Sequence, residues 1–202
     1  MEARSETVSF MEALFGSKNS EHHLLVWTLP SRRSYWFSDV AEAVSCVSDR
    51  GDECDVYCGV GLCASALDAR GKEVNLVAGK RTSNSNVVAM VGFVADVDFR
   101  SNETPKKHLA PPDRAAAMLV IDDCALTPTV IVHSGHGLQA WWLFHEPEPI
   151  DDDAKRERVL ALSASWARTV QYRAAARGWK IDSVWDLARV FRVPGTQNRK
   201  QE

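Results

Sequence analysis

The chain has 202 residues, 45% of them hydrophobic and 25% charged, with a formal net charge of -3. These proportions are ordinary for a globular chain with one ample core, and a charge so near zero rules out a strong whole-molecule pull toward polyanions. Any nucleic-acid contact must come from local patches, for which Lys80-Arg81, Lys106-Lys107 and the stretch from Arg189 to Lys200 are candidates.

In chain order, residues 1–20 read as a short amphipathic helix (Val8, Met11, Leu14, Phe15) followed by the polar loop Gly16–Ser20. The apolar run HLLVWTL (23–29) is a strand stopped by Pro30 and the basic turn Ser31-Arg32-Arg33. Ser38 or Asp39 caps a helix in which Val40, Ala43, Val44 and Val47 recur at helical spacing. DVYCGVGL (55–62) is a second strand, RGKEVN a turn, and TSNSN (82–86) a loop. VVAMVGFVADVDF (87–99), the most apolar run, is an interior strand. After a loop over 101–112, residues 113–124 form a helix that starts at Pro-Pro-Asp. TPTVIVHSGHGLQAWWLF (127–144) is a hairpin turning at Ser-Gly-His-Gly, with Trp141 and Trp142 on opposite faces. An acidic break at 146–153 leads into a long helix from Asp153 to Arg177, and the C-terminal stretch holds a short strand, a turn, another strand and the Pro194-Gly195 turn. Strand-helix units followed by a central hairpin predict an α+β fold with a mostly antiparallel sheet, one face covered by helices and the other open to substrate.

The five cysteines include no CxxC pair, which predicts free thiols in a reducing cytoplasm rather than a zinc site. The N-terminus lacks the apolar run of a signal peptide, and no stretch approaches the roughly 20 apolar residues that a membrane span needs. The expectation is a soluble intracellular protein with no membrane partner.

The candidate chemistry begins with Asp96 and Asp98. Alternate strand residues share a face, so both carboxylates project together from the end of the apolar strand. Such a pair repels itself unless a cation intervenes, and its oxygens suit Mg²⁺ or Mn²⁺ able to neutralise a triphosphate. The plain alternative is a pair of solvated loop acids. Ser134, Gly135, His136 and Gly137 form a glycine-bearing turn in which backbone N–H groups can approach a phosphate; the plain alternative is a simple hairpin turn. Asp182, with Asp186 as competitor, offers a third carboxylate, and Arg189 and Arg192 offer phosphate clamps.

The ordered set ADVDF, VIVHSGHGLQAWWLF and IDSVWDLARVFRVPGTQNRK resembles the archaeo-eukaryotic primase superfamily, most closely its phage and plasmid primase-polymerase domains. The resemblance runs from about Val26 to Lys200. It implies an RRM-like, mostly antiparallel catalytic sheet (86–202) joined to an N-terminal α/β unit (1–85) in one catalytic domain, itself a fragment of a longer replication protein. It also implies Asp96, Asp98 and Asp182 as catalytic metal ligands for Mg²⁺ or Mn²⁺, and Ser134, Gly135, His136, Gly137, Gln139, Arg192 and Lys200 as the nucleotide-binding set. The implied partners are a single-stranded DNA template, NTP or dNTP and a downstream helicase, in the cytoplasm of a bacterial host. Gln139 departs from the pattern, standing where that family's second motif usually ends in histidine. A glutamine can still donate to phosphate but carries no charge. The departure keeps two rivals open: a nucleic-acid-binding module that has lost the chemistry, and a metal-dependent nuclease using the same acids.

Overall fold

The computed structural model describes residues 2–18, 21–64, 76–78, 81–100 and 108–199. Lys80, Lys106, Lys107 and Lys200 lie outside the described residues, as does the whole of the turn RGKEVN. The elements in order are α1 (Glu2–Phe15), β1 (Leu24–Leu29), β2 (Arg33–Phe37), α2 (Val40–Gly51), β3 (Asp55–Gly59), β4 (Gly61–Cys63), β5 (Leu76–Ala78), β6 (Val87–Asp98), α3 (Arg114–Asp122), β7 (Val130–His133), β8 (Gly137–Pro149), α4 (Asp153–Ala176) and β9 (Val190–Arg192). The architecture is α+β. It has one sheet in the order β5-β2-β1-β3-β9 and another in the order β4-β6-β8-β7, with antiparallel pairing.

The chain divides into two compact units, one of residues 1–91, 144–151 and 187–202, the other of residues 92–143 and 152–186. A cut at 85/86 is therefore not where the contacts separate, and the C-terminal stretch belongs with the N-terminal unit because β9 pairs with β3.

In the first unit β1 and β3 are buried along nearly their whole length, which is why both read as apolar runs without alternation. Asp39 caps α2, its carboxylate accepting the Glu42 N–H at 3.0 Å. Arg192 on β9 is 5% exposed and both terminal nitrogens of its guanidinium are engaged. It donates through Nη1 to Asp55 Oδ1 (2.8 Å) and the Gln197 carbonyl (2.7 Å), and through Nη2 to the Tyr57 hydroxyl (3.0 Å) and Asn198 Oδ1 (2.9 Å). The Arg199 N–H adds a bond to Asp55 Oδ1 at 2.8 Å. Gly195, at φ +78°, lies so close to α1 that a Cβ there would stand 2.2 Å from the Ala3 carbonyl oxygen. The segment RVPGTQNR is thus a clasp that closes the first unit, and the geometry gives Arg192 a structural place rather than a phosphate to hold.

The second unit is a sheet-and-helix layer. Ala95 and Val97 of β6, and Leu138, Ala140 and Trp142 of β8, bury against Ala117, Val120 and Ile121 of α3 and Val170 and Ala174 of α4. Trp142 meets Trp166 edge-on, with ring centroids 4.8 Å apart, and its indole N–H donates to the Leu126 carbonyl at 2.8 Å. Asp113 and Asp152 cap α3 and α4, accepting from the N–H groups of Ala116 and Lys155. The helix expected over Asp153–Arg177 is observed as Asp153–Ala176, but β8 runs on to Pro149, through much of the expected acidic break.

Candidate functional site

The layer just described fixes which side chains face away from the helices. Residues 93, 95, 97 and 99 of the β6 segment pack toward α3 and α4, so Asp96 and Asp98 lie on the opposite face, both half-buried. By the same parity Leu138, Ala140 and Trp142 face the helices, which puts Gly137, Gln139 and Trp141 on the side of the two acids. On β7, Val132 is paired with Gln139 and shares that side, whereas His133, paired with Leu138, lies toward the helices with Phe99 5.8 Å away.

The register between β6 and β8 follows from two close approaches. A Cβ on Gly137 would stand 2.8 Å from the Asp98 Cα, and one on Gly92 would stand 2.8 Å from the Leu143 Cα. From the first pairing to the second is six residues along each strand in opposite directions, so no bulge displaces the ladder between them. Two residues inward from Asp98 and Gly137, Asp96 therefore lies opposite Gln139. The hydrogen bond from the Phe99 N–H to the His136 carbonyl (3.1 Å) marks 99 and 136 as a bonded pair, which makes Asp98–Gly137 and Asp96–Gln139 non-bonded pairs, the kind in which side chains approach most closely. Gln139 is buried, and its carboxamide Oε1 has no hydrogen-bond partner among the described residues.

The hairpin tip abuts this pair. Gly135 takes φ +97°, which explains glycine there. The Ser134 N–H and hydroxyl both donate to the Gly137 carbonyl, at 3.0 and 3.2 Å, and the Gly135 N–H donates to His133 Nδ1 at 3.2 Å. These donors hold the turn in shape, so Ser134 and Gly135 act first as builders of the tip. His136 is half-buried and anchors the tip to β6 through its carbonyl.

Gly137 is closely enclosed. A Cβ there would also meet Asp98 Oδ1 at 2.7 Å and the Val97 carbonyl oxygen at 2.9 Å. Gly137→Ala is expected to cost about 1–3 kcal/mol of stability and to push the Asp98 carboxylate from its place. Urea denaturation together with Mn²⁺ titration checks this; unchanged stability and unchanged cation binding would contradict the packing.

Asp182 is exposed on the irregular stretch after α4, held at its neighbour by the buried Ile181, whose carbonyl accepts from Gln171 Nε2 at 3.3 Å. Among the described residues no group of three or more His, Cys, Asp or Glu side chains is gathered to hold a metal, so Asp182 does not join Asp96 and Asp98 as a formed ligand set. Two carboxylates on one strand face, beside a position where only glycine fits, suit one hard divalent cation. The fit is to Asp96 and Asp98. The cysteines are free, and burial pushes the Cys58 and Cys63 thiols up to about 12, keeping them neutral. Trp141 is completely buried, which removes it as a platform for a base. Among the described residues no helix is long and apolar enough to cross a membrane.

Sequence parity alone locates Asp96 and Asp98. The pairing of Gln139 with Asp96 and the burial of Arg192 against Asp55 had no sequence signal, since both depend on which strands become neighbours.

Among solved structures the fold matches the AEP domain of the cyanophage S-2L primase-polymerase (PrimPol), with a TM-score of 0.59 over 98% of this chain and 85% of that one, at 14% sequence identity. At that identity the likeness is one of fold. No family model and no curated protein matches the chain.

Proposed function

We propose that this chain is a primase-polymerase catalytic domain that performs template-directed, divalent-cation-dependent nucleotidyl transfer in phage, prophage or plasmid replication. The observation that carries the reading is the pair Asp96 and Asp98 on the face of β6 turned away from α3 and α4, abutting the Gly137 edge of the hairpin. The shared fold with a phage primase-polymerase domain supports it.

On this reading Asp96 and Asp98 hold Mg²⁺ or Mn²⁺, which when bound neutralises triphosphate oxygens during in-line attack. The chain's own residues do the rest. The β6 strand keeps both carboxylates on one face, and the glycine at 137 lets β8 approach Asp98 without displacing its carboxylate. The tip Ser134–Gly137 positions the triphosphate of the incoming NTP or dNTP, and Asp182, exposed and on the same unit, would offer a further carboxylate to the cation. The 3′-hydroxyl oxygen of the growing strand forms the new bond to the α-phosphorus, its proton leaves to solvent, and pyrophosphate departs.

Incubation with single-stranded template, labelled primer, dNTP and Mn²⁺ tests the proposal. Extension of the primer is expected. Shortening of the DNA without added nucleotide would make the chain a nuclease, and tight single-strand binding with neither reaction would make it a binding module.

A further inference from the structure

We infer that the carboxamide oxygen of Gln139 is itself a ligand of the cation held by Asp96 and Asp98, an assignment that rests on the function proposed above. Gln139 is 5% exposed, sits on the strand face of the two acids and lies opposite Asp96 in a non-bonded pair. Its Oε1 is buried with no hydrogen-bond partner among the described residues. Burying a carbonyl oxygen without a partner costs about 1–3 kcal/mol, and folded proteins leave few such groups unexplained.

The chemistry around the oxygen narrows what can satisfy it. An amide oxygen offers lone pairs and no proton, so it takes either an N–H or O–H donor or a hard cation. Its cross-strand neighbour is an aspartate, and an ionised carboxylate also only accepts. A divalent cation held by the neighbouring carboxylates would satisfy this carbonyl oxygen as well. Glutamine carbonyls belong to the ordinary oxygen set of such ions. Because no third His, Cys, Asp or Glu is gathered with the pair among the described residues, a neutral oxygen from Gln139 supplies the third protein ligand.

The assignment separates from a role in gripping phosphate, because it predicts an effect with no nucleotide present. Mn²⁺ is titrated into the 202-residue chain and the free ion followed by electron paramagnetic resonance. Gln139→Leu, similar in bulk but without the oxygen, is expected to weaken Mn²⁺ binding roughly tenfold, and Gln139→Glu, which adds a charge, to tighten it roughly tenfold. With the ion removed by EDTA, Gln139→Leu should melt no lower than the parent, since it deletes an unsatisfied buried carbonyl. Mn²⁺ affinity in Gln139→Leu equal to the parent's overturns the assignment. Should that variant not fold, Gln139→Glu decides alone, and a failure to tighten overturns it. The double variant Asp96→Ala/Asp98→Ala keeps the two claims apart: its binding Mn²⁺ like the parent sinks the functional reading, whereas its loss alongside an unaffected Gln139→Leu sinks only the ligand assignment.

Discussion

Replacing Asp96 or Asp98 by alanine should reduce templated primer extension by at least about 10³-fold, equivalent to about 4 kcal/mol of transition-state stabilisation. The same substitutions should leave the fold intact. Both side chains lie on the face turned away from α3 and α4, so neither fills the core in which Ala95 and Val97 are packed. The metal-free variants should therefore stay within about 1 kcal/mol of the parent in stability. Loss of activity at constant stability is the signature of a functional pair. A loss of both together would place the carboxylates in the structural framework, and retained activity would remove them from the site. Primer extension and urea denaturation on the same preparations separate these outcomes.

The second large effect is on stability. Arg192→Ala should destabilise the first unit by about 3–5 kcal/mol, because it strands Asp55 as a buried charge and removes the donors to Tyr57, Gln197 and Asn198. Arg192→Lys should recover little of this, since an ammonium is a compact point charge and cannot reproduce a planar fork bonded on two sides. Urea denaturation monitored by tryptophan fluorescence reads the difference. If Arg192 instead served nucleotide, the lysine variant would keep its stability and lose only affinity. The expected result also bears on the terminal motif as a whole. The Pro194 carbonyl accepts from the Thr7 hydroxyl at 2.8 Å, and the Thr196 hydroxyl donates to the Val193 carbonyl at 2.7 Å. The stretch after β9 is held by these bonds as a clasp on α1 and α2, whose Gly51 sits against the Thr196 methyl.

Much of the fold could be read from residue patterns because the elements obey their own periodicities. α2 and α4 carry caps at Asp39 and Asp152, β1 and β3 are apolar on both faces, and the hairpin of β7 and β8 announces itself by Ser-Gly-His-Gly between two apolar runs. β2 escaped notice for a physical reason. RSYWF begins with an exposed arginine and includes a serine that is wholly buried, so neither alternation nor an apolar run marks it, and its pairing with β1 supplies the order. β5, three residues paired to β2, is likewise made by its neighbour.

The site was half legible. The two-residue spacing of Asp96 and Asp98 carried the face on which they lie, and the glycines at 135 and 137 carried the turn. The partner of Asp96 did not show, because the register of β6 against β8 is a long-range fact decided by how the sheet closes. Arg192 misled for a related reason. A basic residue near the end of a chain reads as a surface cation, and only the approach of Asp55, from 137 positions away, turns it into a buried anchor. Asp182 offered a third carboxylate by residue type, and it lies exposed on the irregular stretch after α4.

The most direct test is a crystal soaked with Mn²⁺ and a non-hydrolysable dNTP, with diffraction recorded at a wavelength where manganese scatters anomalously. The account predicts an anomalous peak within coordination distance of the Asp96 and Asp98 carboxylates, about 2.2 Å, with triphosphate density beside Gly137. Manganese bound elsewhere while those two carboxylates stay bare, in a preparation that still extends primers, would contradict it.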